Sequence, residues 1–223
     1  IPGLVGATPI QNVGAYGQEV KDTIASVRAW DRKESRVVVL SNAACRFSYR
    51  HSMLKESSRF VVLRVSFALR KSVQSTGIRY AELARAVGGE SAPLARVRET
   101  VIALRRGKGM VLDPNDPDTR SAGSFFVNPT MDEASYEALA VRAGETVPRF
   151  ASDDGRVKVP AAWLIEHAGF TKGTARGRAA ISTKHALALT NRGGATTEEL
   201  LALAREIRDA VAARFGVTLV AEP

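Results

Sequence analysis

Ile1-Pro2-Gly3-Leu4-Val5-Gly6-Ala7-Thr8-Pro9-Ile10-Gln11-Asn12-Val13-Gly14-Ala15-Tyr16-Gly17 opens the chain and differs in character from everything after it. Four glycines and no basic residue fall within its first twenty positions. Glycine and alanine deny side-chain bulk to one surface, so backbone N–H groups there can approach a phosphate or a flat ring closely. The stretch lacks the Gly-Lys-Ser/Thr ending of a nucleotide P-loop, and no strand precedes it to make a Gly-x-Gly-x-x-Gly dinucleotide turn. Read alone, it fits a tight structural loop as well as a ligand cradle.

Two apolar runs follow, Ile24–Trp30 and Arg36–Leu40, split by Asp31-Arg32-Lys33-Glu34. This is hairpin patterning. Ser41–Ser58 is polar and irregular. Within Phe60–Arg70 one face is wholly apolar (Val61, Leu63, Val65, Phe67, Leu69), which predicts a half-buried strand of an antiparallel or mixed sheet. Helices dominate afterwards. Ser91, with Pro93 in the first turn, starts a helix whose Val97, Val101 and Leu104 recur at helical spacing up to Gly107. Thr130 and Glu133 read as a capping box ahead of Tyr136, Leu139 and Ala140. Val159–Gly169 carries Trp163, Leu164 and His167. Thr196 and Glu199 make a second capping box; Leu200, Leu203, Ile207, Val211 and Phe215 then form one stripe that Gly216 stops. Short strands are expected within Ala179–Leu189 and at Val217–Val220, and Gly109–Gly123 reads as a loop. The expected division is residues 1–75, a connecting segment with a helix over 76–108, and an α+β unit over 109–223.

The chain has 223 residues, of which 45% are hydrophobic and 25% charged, an ordinary globular composition. At this length it buries roughly 70% of its unfolded surface and needs no staples. The single cysteine, Cys45, excludes an internal disulfide framework and any multi-cysteine metal site. It fits a reducing, cytoplasmic compartment and reads as a small buried filler. No apolar run reaches the roughly 20 residues of a membrane helix, so no membrane insertion is expected. The chain lacks an initiator Met and a signal-peptide pattern, which suggests a processed or truncated chain. Lys and Arg number 32 against 23 Asp and Glu, a net charge of +9 that permits anionic partners. Basic residues are scattered and only 6% of residues are aromatic, with none interleaved among the basic clusters, so no nucleic-acid partner is expected. No His/Asp/Glu spacing suggests a metal site, and His167 reads as structural.

Three motifs in order carry a resemblance. Gly3-x-x-Gly6-Ala7-x-Pro9-x-Gln11-Asn12-x-Gly14-Ala15-Tyr16-Gly17 resembles the flavin-binding signature of the UDP-N-acetylenolpyruvoylglucosamine reductase (MurB) family. Tyr49-Arg50-His51-Ser52 resembles that family's Tyr-Arg-Asp-Ser, with His51 where Asp is usual. Gly123-Ser124-Phe125-Phe126-Val127-Asn128-Pro129 resembles its Gly-Ser-Phe-Phe-x-Asn-Pro. The resemblance covers essentially the whole chain and points to a type I member. It implies an α+β fold: part of a vanillyl-alcohol-oxidase-like (PCMH-type) FAD-binding domain, then an α+β substrate-binding domain. The family has a first FAD-binding subdomain ahead of the Ile-Pro-Gly stretch, and it continues past Glu222-Pro223; neither part is in this sequence.

The same resemblance implies an activity and its residues. The family uses FAD, with NADPH as hydride donor, to reduce the enolpyruvyl group of UDP-N-acetylglucosamine enolpyruvate to UDP-N-acetylmuramate, a peptidoglycan precursor. Gly3, Gly6, Ala7, Thr8, Ile10, Asn12, Gly14, Ala15 and Tyr16 match its FAD-binding positions. Ser124 matches the general acid that protonates the substrate carbanion, and a hydroxyl suits that task if it lies within hydrogen-bond reach of a strongly basic enolate. Arg50 matches the arginine on the enolpyruvyl carboxylate, where a guanidinium fork gives two parallel hydrogen bonds. Glu222, in Leu219-Val220-Ala221-Glu222-Pro223, resembles the family's Leu-x-Pro-Glu-Val end, whose glutamate assists the enolate. Tyr49, Tyr80, Arg105, Lys108, Asn128 and His185 match substrate-side positions, with Arg105 and Lys108 suited to a diphosphate. The alternatives are another FAD-dependent oxidoreductase of the same fold and, from a different class, a basic nucleic-acid-binding module that would show steeply salt-dependent DNA binding.

Overall fold

The computed structural model describes residues 3–222 apart from Glu56 and Asp153. Ile1 and Pro2 of the opening stretch, and Pro223, lie outside the described residues. The chain divides into two units, residues 3–104 and residues 105–222, with the boundary in the last turn of a helix.

The first unit is built on a three-stranded antiparallel sheet. Its first strands are a two-residue hairpin, β1 (Gly14–Ala15) and β2 (Gln18–Glu19). The sheet itself is β3 (Ile24–Asp31), β4 (Arg36–Ser41) and β5 (Phe60–Phe67), in the order β4-β3-β5. Asp31 pairs with Arg36 at the expected turn. The expected inward face of β5 holds only in its second half. Phe60 and Val62 pack inward, and so do Val65 and Phe67, while Val61 and Leu63 are 39% and 51% exposed. The cause is a bulge: Arg28 pairs with Arg64 but Ala29 pairs with Val62, so Leu63 is an extra residue and the alternation flips. Leu69 lies beyond the strand and is exposed. Cys45 is fully buried against Ile24, Val27 and Leu54, and burial pushes its thiol pKa up, as suits an inert filler. Two helices close the unit, α1 (Ala81–Val87) and α2 (Leu94–Gly107). Leu83, Val87, Val97, Val101 and Leu104 share one small core. The Ser91 hydroxyl, expected as a helix cap, donates to the carbonyl of Ser75.

The second unit is α+β. Gly109–Gly123, read as a loop, contains a 3-10 turn at Pro117–Thr119 and most of β6 (Ser121–Ser124). Next come β7 (Thr130–Met131), α3 (Glu133–Ala143), β8 (Phe150–Ala151), β9 (Val157–Lys158), α4 (Ala161–His167), β10 (Ala175–Arg176), β11 (Ala179–Ile181), β12 (Ala188–Asn191) and α5 (Thr197–Phe215). One antiparallel sheet has the order β10-β11-β12-β6, the other β7-β9-β8. Leu139, Leu164, Ile165, Ile181, Leu203 and Ile207 are all at most 1% exposed and form one core. The capping box at Thr196 is as expected: its hydroxyl accepts from the Glu199 amide at 3.2 Å and the Glu199 carboxylate accepts from the Thr196 amide at 2.7 Å. The box expected at Thr130 is not. Thr130 belongs to β7, and Asp132 caps α3 by accepting from the Ser135 amide. Ala179–Leu189 is two strands joined by a loop. Val217–Val220 makes no regular strand; the pairing there is a bridge between Phe126 and Ala221.

Candidate functional site

In the first unit, two sequence motifs are tied to each other. The Ser52 hydroxyl, fully buried, donates to the Ile10 carbonyl at 2.6 Å. Arg50 donates through Nη2 to the Gly14 carbonyl at 2.8 Å. Asn12, also fully buried, donates to the Ser48 carbonyl at 2.9 Å. The stretch from Ser48 to Ser52 therefore fixes the path of the opening loop at three points.

Local geometry explains the residue types. Ser48 and His51 pair across a tight turn in which Arg50 has φ 53°. That left-handed value is costly for a residue with a Cβ, and it persists because Gly14 and Glu19 hold the guanidinium. Tyr16 and Gly17, with φ 53° and 77°, form the primed turn that a two-residue hairpin requires. Asn12 is a hub: its Nδ2 also donates to Glu19 at 2.7 Å and its Oδ1 accepts from the Lys21 amide at 3.0 Å. Its side chain is thus committed to shaping the loop. Thr8 likewise donates to Val5 within the loop.

The glycines separate into two kinds. A Cβ on Gly14 would lie 2.7 Å from Glu19 Cγ, 2.9 Å from the Gln18 carbonyl and 3.1 Å from Arg50 Nη1, so internal packing demands glycine there. A Cβ on Gly3 or Gly6 meets nothing within 4 Å. Those two are bare towards the outside, as a cradle for an external group would be, and Ala7 and Ala15 are exposed beside them. A cleft of about 550 Å³ runs past Gly14, Ala15 and Gly17 to Thr76, Gly77 and Arg79. Tyr80, 40% exposed, packs edge-on against Tyr16, with centroids 5.3 Å apart. The Arg50 guanidinium lies 5.2 Å from the Tyr49 ring centroid. The surface at Gly3, Gly6 and Ala7 is open to a flat external group; the cleft is lined instead by Gly14, Ala15 and Gly17 with Glu19, Asp22 and Arg79.

In the second unit, Ser124 ends β6, half-buried and paired with Ala188. Gly123, with φ 88°, precedes it within the strand, where the register against β12 shifts. The Phe125 amide donates to Leu187 at 2.7 Å, and the Phe125 carbonyl accepts from the Glu222 amide at 2.7 Å. Glu222 is therefore paired through the backbone with the residue that follows Ser124. His185 lies in the loop between β11 and β12, whose end at Ala188 pairs with Ser124. Asn128 turns its Oδ1 to the Ala161 amide at 2.8 Å, holding the start of α4. Arg105 and Lys108 lie at the end of α2, where the Arg105 carbonyl accepts from the Lys108 and Met110 amides.

Asp118 was invisible in the sequence pattern. Only 3% exposed, it accepts from the Thr183 amide at 3.0 Å, the Thr183 hydroxyl and Arg192 Nη2 at 2.7 Å. Burial alone would push its pKa up; the Thr183 hydrogen bonds and the Arg192 charge outweigh that and hold it below the usual carboxylate range. An Asp-Pro-Asp run in a turn-rich stretch gives no sign that one carboxylate points inward. His167 stacks on Trp163 at 3.9 Å between centroids and shares a hydrogen bond with its carbonyl, a structural role as expected. Among the described residues no group of three or more His, Cys, Asp and Glu could hold a metal, and no helix is long and apolar enough to cross a membrane.

Comparison with known proteins points to one family. Residues 114–223 match the family model for the C-terminal domain of UDP-N-acetylenolpyruvoylglucosamine reductase. The whole chain is 57% identical to the enzyme of that name from Thermobifida fusca, covering 65% of it. It is 59% identical to the Streptomyces coelicolor enzyme, covering 61% of it. The chain thus spans less than two thirds of the length of these relatives. A solved structure of the Thermus caldophilus enzyme matches all of this chain and 60% of its own, with TM-score 0.60 and 24% identity, which supports the α+β fold.

Proposed function

We propose that the chain is part of a UDP-N-acetylenolpyruvoylglucosamine reductase, as its 57% and 59% identity to relatives of that name supports, and that it forms flavin-side and substrate-side parts of an FAD-dependent enzyme. Its substrate would be UDP-N-acetylglucosamine enolpyruvate and its product UDP-N-acetylmuramate, made for peptidoglycan in the cytoplasm. Bound FAD supplies the hydride chemistry, with NADPH as the donor. Gly3, Gly6, Ala7, Thr8, Ile10, Gly14, Ala15 and Tyr16 would hold it, over the 1–75 portion, while Asn12, fully buried, would serve the site by shaping the loop from behind. The remaining contacts would come from a further N-terminal FAD subdomain.

Each other residue has a chemical task. Arg50 would grip the enolpyruvyl carboxylate and offset the negative charge that grows beside it. Ser124 would deliver its proton to the carbon next to that carboxylate, and Glu222 would assist the enolate. Arg105 and Lys108 would face the diphosphate, with Tyr49, Tyr80, Asn128 and His185 lining the substrate. The observation that carries the reading is the three-point tie between the stretch from Ser48 to Ser52 and the bare loop, because it couples the arginine proposed to bind the carboxylate to the proposed flavin cradle.

The test uses the full-length enzyme that contains this chain. As purified it should be yellow, bleach with NADPH and recolour when the enolpyruvyl sugar is added anaerobically, with UDP-N-acetylmuramate detected by mass. A colourless protein that added FAD does not turn yellow would overturn the reading.

A further inference from the structure

Between β11 and β12 the chain runs without a regular ladder, and side chains hold it. The Lys184 and His185 amides both donate to Ser182 Oγ, at 3.0 and 3.3 Å. The Thr183 amide and hydroxyl both donate to Asp118. Lys184 pairs with Asp116, and Arg192 with Asp118, so two of the cations in this corner serve carboxylates of the chain itself. Asp118 also has a second neighbour. Gly109 has φ +67°, and a Cβ on it would lie 3.0 Å from Asp118 Cβ and 3.2 Å from the Asp118 carbonyl oxygen. The turn that carries Lys108 is thus pressed directly against the same residue.

We propose that Asp118 is a positioning residue for substrate binding: it fixes the loop bearing His185 and the turn bearing Lys108 in one arrangement. The inference rests on the reading of Lys108 and His185 as substrate-side residues. The physical case is that a buried ion pair contributes little net stability over an apolar replacement, yet it defines geometry sharply. Here the carboxylate takes three donors from Thr183 and Arg192, far along the chain. Although the loop is closed by Ser182–Ala188 and Ala188–His185 backbone bonds, the amides of Thr183, Lys184 and His185 all donate to side chains. With the carboxylate gone, Thr183 loses the acceptor for its hydroxyl and the loop can shift, taking His185 with it.

The test uses the FAD-loaded full-length enzyme and four variants: Asp118→Ala, Thr183→Val, the two combined, and Lys108→Ala. Asp118→Ala and Thr183→Val should each raise KM for the UDP sugar about tenfold, the scale of a hydrogen bond to a charged group. Flavin reduction by NADPH should stay within about twofold, since no step of it uses this corner. The double variant should be little worse than the worse single one, because both remove the same contact. Unchanged KM in both single variants, or additive effects in the double, overturns the proposal even if the melting temperature falls. If Asp118→Ala does not fold, Thr183→Val decides alone, since Thr183 is exposed and its amide keeps its bond to Asp118. Lys108→Ala separates the two levels. If it leaves KM unchanged, the diphosphate reading fails and this proposal with it; if it alone raises KM, only the role of Asp118 falls.

Discussion

The amide of Glu222 donates to the carbonyl of Phe125 at 2.7 Å. One residue from the described C-terminus is thereby locked beside the strand end that presents Ser124. The Phe126–Ala221 bridge and the bond from the Val127 amide to Val220 extend the same pairing. Residues 220–222 thus run antiparallel to residues 125–127, directly after β6, which puts the backbone of Glu222 next to the strand end that carries Ser124.

Gly6 and Gly14 should respond differently to valine. Gly6→Val adds a branched side chain to open space, so the protein should keep its melting temperature and lose FAD. Gly14→Val drives its side chain into Glu19, the Gln18 carbonyl and Arg50, so it should lose both stability and FAD. Thermal melts with and without FAD, and flavin content by absorbance, distinguish the two. Full flavin retention in Gly6→Val would show that the opening loop merely turns.

Ser52→Ala should destabilise the first unit. The fully buried hydroxyl donates to Ile10 at 2.6 Å and accepts from the Leu54 amide at 3.1 Å, and alanine leaves both backbone groups unsatisfied. The expected loss is about 1–3 kcal/mol in a denaturant titration. Ser66→Ala, exposed on β5, should stay within about 0.5 kcal/mol. Equal effects from the two would remove the case for a tie between the loops.

Asp31 predicts a pH dependence. Arg59 donates to it through Nε at 2.9 Å and Nη2 at 2.6 Å, and with the Lys33 and Glu34 amides lowers its pKa from 3.8 to about 2. A depressed folded-state pKa stabilises above the unfolded value and is lost as pH falls through the folded one. Asp31→Asn should therefore melt lower than wild type at neutral pH, with the gap closing as pH falls from 3.8 through about 2. A gap that persists unchanged at the acid end would mean the loss is packing, not charge.

Much of this was legible in the sequence, and the failures have physical causes. The Thr196–Glu199 box and the stripe to Phe215 announced α5, because cap and core periodicity agree there. The inward face of β5 was misjudged because a bulge between Arg28 and Ala29 shifts the register, and nothing in the local alternation marks a partner's bulge. Thr130 looked like a cap because Thr-x-x-Glu is a local pattern; pairing of Thr130 with Lys158, a non-local contact, took it into a strand. The side-chain-poor loop stood out at once, but Asn12 and Gly14 prove to be demanded by contacts with Ser48, Glu19 and Arg50. Asp118 could not be found at all, since its partners Thr183 and Arg192 lie far along the chain.

The last prediction separates two half-reactions at Ser124. Its hydroxyl is asked only to give a proton to the enolate after hydride transfer, so Ser124→Ala should bind FAD and be reduced by NADPH almost normally. Reoxidation by the enolpyruvyl sugar should slow by roughly two to four powers of ten, the usual worth of a positioned general acid. Ser124→Cys should recover part of that loss, because a thiol can also donate. The backbone pairing of β6 with Ala188 and of Phe125 with Leu187 and Glu222 does not involve the hydroxyl, so neither variant should disturb the strand. Arg50→Ala should slow the same half-reaction by a different route. It removes charge beside the carboxylate and also frees the Gly14 carbonyl, so some FAD should be lost as well. Stopped-flow absorbance of the flavin, with NADPH and the sugar mixed separately, resolves the two steps. If Ser124→Ala instead cripples reduction by NADPH and spares reoxidation, the hydroxyl is not the proton donor, and Ser124 must act on the nicotinamide side.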